Sequence, residues 1–278
     1  VTTFTTPGPI SAIVEVAGAR VRLTASDRPD TVVLVEPIDP ASRKDVKVAA
    51  ATRVELADGR LSVKTTKAGD KSGSAAITIE LPAGSDLAAY LWSSDVRVDG
   101  PVGTCEVHMA SGQVRLDRVG ALQANLSSGE IAVGRIAGRA GVQGATFKLR
   151  IDEADGTVGL ENAGGHTWIG HASGDVDISS GSGDFGIDRA DGNVAATIGG
   201  GTVRVGRMTN GRAKLMNGSG DIEVGVGEGA AVSVDADSER GAVHDFVSSQ
   251  AAPGPADAKV SVHARTRHGD ITVQRAAA

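Results

Sequence analysis

One six-residue phrase recurs along the chain: a small or corner residue, usually Gly, a polar residue, then apolar-x-apolar. It reads SSDVRV from Ser93, SGQVRL from Ser111, SGEIAV from Ser128, TFKLRI from Thr146, GGHTWI from Gly164, SGDFGI from Ser182, GGTVRV from Gly200 and SGDIEV from Ser219. Successive starts lie 18, 17, 18, 18, 18, 18 and 19 residues apart. A weaker half-repeat follows about nine residues later, as in TCEVHM from Thr104, SGDVDI from Ser173 and NVAATI from Asn193. No unit of this size can bury its own apolar stripe. Copies must stack, so that each covers the next and satisfies its backbone.

The local geometry follows from strand periodicity. Side chains alternate across a strand, so the two apolar residues of V-x-V share a face. The inward set is therefore Val96/Val98, Val114/Leu116, Ile131/Val133, Leu149/Ile151, Thr167/Ile169, Phe185/Ile187, Val203/Val205 and Ile222/Val224. The half-repeats supply a facing wall: Val107/Met109, Ala124/Leu126, Val158/Leu160, Val176/Ile178 and Val194/Ala196/Ile198. The expected fold class is all-β. It is a parallel β-solenoid with two short strands in each coil of about 18 residues. Parallel crossovers are overwhelmingly right-handed, which predicts a right-handed β-helix. Gly112, Gly129, Gly165, Gly183 and Gly220 sit at the corners, where positive φ is expected.

The ends depart from the period. Residues 1–92 read as an N-terminal antiparallel β cap, with strands AIVEV, RVRLTA, TVVLVEP, RVEL, RLSVKTT and AAITIELP. Residues 93–227 form the repeat region, and 228–278 the C-terminal strands that cap it. In the latter, His268-Gly269-Asp270-Ile271 returns to the repeat phrase. Loops are expected at 66–75 and in the Pro-rich 250–258. Almost no helix is expected.

Composition narrows the function classes. A net charge of −6 and pI near 5.5 lack the basic footprint of a nucleic-acid binder. The single cysteine, Cys105, forms no internal disulfide and no Cys-based zinc site, and reads as a small buried hydrophobe. No apolar run is long enough for a membrane span. Residues 1–16 carry neither a basic n-region nor an apolar h-region, so the chain as given reads as cytoplasmic.

No cofactor or metal is expected. In the calcium-binding β-roll, Asp stands two residues after the last Gly of each turn. Here Asp follows Gly directly at 175, 184, 221 and 270, and the aligned copies carry Gln113, Glu130, Lys148, His166 and Thr202. A calcium column cannot run through Lys148. His166 and His171 are five apart and point to opposite faces of one strand. The polysaccharide enzymes built on β-helices need convergent carboxylates in a cleft walled by long loops. These corners are short, and Asp99, Asp117, Asp152 and Asp188 predict a column instead of a cluster. GGGT at 199–202 lacks the Lys-Ser/Thr and the helix of a phosphate loop. No nucleophile-elbow motif is present.

The outward positions remain. Between the inward pairs lie Arg97, Arg115, Ala132, Arg150, Trp168, Gly186, Arg204 and Glu223. Arg97, Arg115, Arg150 and Trp168 form a candidate docking stripe, since Arg and Trp are frequent interface anchors. Neighbouring Asp95, Asp99, Asp117, Glu130 and Asp152 would equally make it an ordinary balanced surface. The opposite wall shows a polar column of His108, Asn125, Gln143, Glu161, Ser179 and Thr197.

Several segments carry a resemblance across essentially the whole chain: ASDRPDTVVLVEPIDPASRKDV, TRVELADGRLSVKTTK, ITIELPAGSDLAA, NAGGHTWIGHASGDVDI and ARTRHGDITVQ. They resemble the bacterial β-strand-repeat family labelled putative adhesin, of unknown function, and its actinobacterial branch in particular. The resemblance implies a β-solenoid with a β cap and carries no catalytic or metal residues. The expected function is a non-enzymatic interaction or scaffold protein whose partner is an unknown protein or a glycan. The alternatives are a carbohydrate-binding or polysaccharide-active β-helix and a self-assembling cytoskeletal solenoid.

Overall fold

The computed structural model describes residues 1–65, 73–247 and 259–276. Residues 66–72 of the first expected loop, and the whole Pro-rich loop at 250–258, lie outside the described residues. The described residues form an all-β chain with open, mostly parallel sheet and one short helix. It divides into two compact units, Val1–Ala137 and Gly138–Ala278, and the division falls within the repeats.

In the second unit, repeat lies on repeat in register. One ladder aligns Ala140, Val158, Val176, Val194 and Ala213 on successive parallel strands. The other aligns Leu149, Thr167, Phe185, Val203 and Ile222. The apolar pairs expected to point inward are all buried. Each Val, Leu, Ile or Phe so placed contributes about 1.5–3 kcal/mol of transfer free energy.

The first unit has the same two ladders. One runs Val63, Val14, Ala89, Val107 and Ala124; the other runs Ile79, Leu23, Val98 and Leu116. Parallel pairing therefore begins at Ser11, inside the region expected to be an antiparallel cap. Only part of that region is antiparallel. Thr2–Thr5 pairs with Asp30–Pro37, which pairs with Ala75–Pro82, and Arg53–Ala57 pairs with Arg60–Lys64.

Both units place strands out of chain order. Ser11–Ala17 lies between Arg60–Lys64 and Asp86–Trp92. Lys259–His268 lies between Gly211–Asn217 and Ala231–Arg240, and Ile271–Arg275 lies between Ile222–Val226 and Val243–Asp245. Ser11–Ala17 and the last two strands are thus paired on both edges, whereas Thr2–Thr5 pairs with Asp30–Pro37. Pairing on both sides anchors ends that would otherwise fray.

The helix, Arg43–Ala51, is unexpected from the repeat pattern. Ser42 caps it by accepting a hydrogen bond from the Asp45 amide, and Val48 is its buried residue. Asp45 stands in the first turn, where a negative charge suits the exposed amides. Its carboxylate also accepts from the Asp39 and Ser74 amides. These contacts, the Ser74 amide foremost, hold it below its ordinary pKa. Short stretches of this kind are fixed by capping and by a single buried contact, which period analysis does not see.

Corners explain the Gly-Asp pairs. Gly183 has φ 107°, and a Cβ there would fall on the carbonyl oxygen of Gly165, one repeat back. Only a residue without a side chain lets the backbones stack so closely. The aspartate that follows works across the stack. Asp184 accepts the Thr202 amide at 2.9 Å, Asp175 the Asn193 amide at 2.8 Å, Asp95 the Gln113 amide at 3.2 Å and Asp221 the Asp270 amide at 2.8 Å. These are charge-assisted bonds to amides that leave the ladder at the turn. The recurring aspartate ties one corner to the next.

The inward and outward assignment has a direct test. Val176 is 2% exposed, whereas Thr202 lies on the surface. Val176→Asp is expected to cost several kcal/mol through an unpaired buried carboxylate, roughly 3–5. Thr202→Asp is expected to change stability by less than about 0.5 kcal/mol. Urea unfolding of both variants checks this; equal midpoints would show the assignment to be wrong.

Candidate functional site

The four stripe residues lie outward, as their strand positions require. In the first unit Arg97 and Arg115 are in register on adjacent strands, and Arg22 pairs in register with Arg97 on its other side. Three exposed arginines therefore stand on successive strands. Arg22 escapes the repeat search because strand Arg20–Ser26 belongs to the non-periodic end of the chain. Its signal is visible only as RVRL, the same apolar-x-apolar phrase without the Gly corner.

Stacked like charges repel, and the next column of residues offsets part of that cost. Asp99 sits between two of the arginines, accepting from Arg97 Nε at 2.9 Å and lying 3.4 Å from Arg22 Nη2. Asp117 accepts from the Gly100 amide and from Arg118 Nε. Arg115 makes no ion pair among the described residues. Side-chain exposures of 65% for Arg22 and 58% for Arg97 leave the guanidinium edges open to solvent.

In the second unit Arg150 and Trp168 are register partners. The Arg150 guanidinium lies 4.1 Å from the Trp168 ring centroid, a cation–π contact, and also pairs with Asp152 at 2.9 Å. Trp168 Nε1 donates to Asp188 Oδ1 at 3.2 Å, and Trp168 is half-buried. Glu223 lies 3.8 Å from Arg204. This half of the stripe is internally satisfied: its tryptophan has one face covered and its donor used.

His166 and His171 each face a different aspartate. His166 Nδ1 lies 3.3 Å from Asp184, and His171 Nε2 lies 2.7 Å from Asp191. No group of three or more His, Cys, Asp or Glu among the described residues is placed to hold a metal. Cys105 is fully buried, and burial pushes its thiol up to about 12, which leaves it unreactive. No helix is long and apolar enough to cross a membrane, among the described residues.

The opposite wall holds something the repeat search missed. His108 and Asn125, of the polar column, line a groove in the first unit together with Tyr90 and Trp92. Both aromatics belong to Asp86–Trp92, a strand that the sequence reading left unassigned at the edge of the cap.

These faces belong to a stacked β-repeat protein that presents columns of side chains on its walls. The family model described as Toastrack DUF4097 matches residues 13–274, and the chain belongs to that family. This agrees with the resemblance carried by residues 25–46 and 162–178. No curated protein matches the chain by sequence. Among solved structures it is similar to a "putative adhesin" from Parabacteroides distasonis, at 15% identity and TM-score 0.37, covering 99% of this chain and 95% of that one. It is also similar to a "putative adhesin" from Parabacteroides merdae, at 11% identity and TM-score 0.37, again over 99% and 95%. A "putative lipid binding protein" from Parabacteroides distasonis is similar at 9% identity and TM-score 0.33, over 99% and 96%.

Asp191 provides a test of the electrostatics on this surface. Partial burial opposes its charge, but hydrogen bonds from Thr209, Arg189 and His171 outweigh that and bring its pKa down to about 2. A carboxylate depressed on folding stabilises above its unfolded pKa and loses that contribution as pH falls through the folded one. The loss is therefore expected between about pH 4 and pH 2, on the order of 2 kcal/mol. Asp191→Asn is expected to flatten the acid limb of the stability profile by that amount, measured by urea unfolding from pH 5 to 2. An unchanged acid limb would show that the cluster contributes nothing.

Proposed function

We propose that the chain is a right-handed β-solenoid with coils of about 18 residues that acts as a non-catalytic docking scaffold. The observation that carries this reading is the in-register column of Arg22, Arg97 and Arg115 in the first unit. Such a column costs like-charge repulsion, and one bridging aspartate offsets only part of it. An extended partner segment bearing carboxylates would complete the compensation. Arginine forks present paired donors, so each rung could hold one carboxylate by two parallel bonds. Arg150 and Trp168 of the second unit are engaged with each other, with Asp152 and with Asp188, and add at most an exposed Trp168 face to this surface.

The non-catalytic assignment is supported by the way charged side chains are arranged. Arg97 with Asp99 and Arg150 with Asp152 pair between neighbouring columns, and His171, Arg189 and Thr209 all bond to Asp191, so these polar groups are engaged with one another. Self-assembly into filaments is the weaker alternative. Among the described residues, Asp30–Pro37 and Arg53–Ala57 pair antiparallel with the outlying strands of the first unit. Ala231–Arg240, the outlying long strand of the second, carries Asp235, Asp237, Glu239 and Arg240. Charged strands of this kind discourage edge-to-edge association.

Replacing Arg97, Arg115, Arg150 and Trp168 together by Ser is expected to leave the melting temperature within a few degrees of wild type, since none faces the core. Binding of a poly-glutamate peptide, followed by fluorescence anisotropy at low salt, is expected to fall by about tenfold or more. Unchanged binding would place the working surface elsewhere. Fractionation of the native host decides whether the scaffold acts in the cytoplasm.

A further inference from the structure

We infer that the groove around Tyr90 and Trp92 binds a neutral oligosaccharide. The chain contains only two Trp, one Tyr and four Phe. Two of its three amphipathic aromatics stand at alternate positions of one strand, on the same outward face. Tyr90 is 41% exposed and Trp92 68% exposed. Exposing such side chains on a protein poor in aromatics forgoes burial that the core could have used.

The register shows how the groove is built. Lys64, Glu15, Tyr90, His108 and Asn125 follow one another on successive strands. Tyr90 stacks on His108 with centroids 5.0 Å apart and planes within 1° of parallel. His108 Nε2 is in turn bonded to Glu106 at 2.6 Å, which fixes the imidazole plane. In the column beside it, Trp92 pairs in register with Ala17, and Ala110 flanks it on the other side, its N–H donating to the Leu91 carbonyl at 3.0 Å. Small residues on both sides leave the indole faces open, in contrast to Trp168 beneath Arg150. The resulting groove measures about 600 Å³, within the range of small-molecule sites, roughly 300–1,000 Å³.

The lining selects the ligand class. The indole of Trp92 and the exposed part of Tyr90, whose ring is stacked on His108, stand at i+2 and i, about 7 Å apart along the strand. That spacing suits rings that follow one another in a chain. Pyranose rings present axial C–H groups that pack on an aromatic face and equatorial hydroxyls at their rims. Around the aromatics the polar lining groups are Thr65, Glu15, His108, Asn125 and Ser127, which can both donate and accept. Among the described residues no Arg or Lys lines the groove, and Glu15, which does, lies 2.8 Å from Lys64. A carboxylate on the lining disfavours a uronate or sialate, so the ligand class that fits is a neutral sugar. This inference does not depend on the arginine column, which lies on the other ladder.

The test uses the full chain with cellohexaose, maltohexaose, xylohexaose and mannohexaose as probes. Intrinsic tryptophan fluorescence and isothermal titration both report binding. At least one probe is expected to bind wild type and Thr202→Asp, a surface change in the second unit, alike. Trp92→Ala is expected to weaken it by about tenfold or more, one good contact's worth. Ala110→Arg, which fills the space beside the indole, is expected to do the same and guards against a folding defect in the first variant. A polygalacturonate hexamer is expected not to bind. The inference is overturned if none of the neutral hexasaccharides binds, if both groove variants retain wild-type affinity, or if the acidic hexamer binds in preference. Loss of poly-glutamate binding in the stripe variant with oligosaccharide binding intact would separate the two surfaces.

Discussion

Everything in this structure depends on one repeat lying in register on the one before it. Parallel strands about 4.8 Å apart satisfy each other's backbone groups only if equivalent residues superimpose. That requirement turns a sequence period into columns. Valine stacks on valine inward, and whatever occupies an outward position stacks on its counterpart. It also dictates the corners, because successive backbones approach too closely there for any Cβ, as at Gly183 over Gly165.

The same constraint shapes the electrostatics. A charged residue in a repeat meets its equivalents at strand spacing, so compensation has to come from the next column. Asp99 between Arg22 and Arg97, and Asp152 beside Arg150, show this pattern. The corner aspartates use their charge differently, accepting amides one repeat away. One residue type thus serves two structural purposes according to its position in the repeat. The corner aspartates here take part in the stacking of one repeat on the next. Surfaces of this kind offer recognition over a length of wall, and the chemistry of contact varies from column to column.

At both ends the fold gives up chain order. Inserting Ser11–Ala17 between Arg60–Lys64 and Asp86–Trp92 requires contacts between residues far apart in sequence. The later strands Lys259–His268 and Ile271–Arg275 do the same in the second unit. Non-local pairing of this sort is slow to form, because loop closure precedes any gain in contacts. In return, Ser11–Ala17 and the last two strands have neighbours on two sides.

From the sequence alone came the period, the strand pairs, the inward set from Val96 to Val224, the glycine corners and the family resemblance. All of these are local or periodic, set by side-chain alternation and by the φ that only glycine adopts cheaply. The parallel pairing of residues 11–26 was not legible, because a strand's alternation does not say which edge it pairs with. The Arg43–Ala51 helix was hidden for a similar reason: it is held by Ser42, Asp45 and one buried valine, too few residues to leave a period. The four stripe positions, proposed to dock a partner, were legible as exposed positions, but whether an exposed arginine is free or bound to aspartate depends on the column beside it. The Tyr90–Trp92 groove was invisible as a site. Only tertiary register places Ala17 and Ala110 beside Trp92 and sets His108 against Tyr90, and register between distant strands is decided by the packed core as a whole.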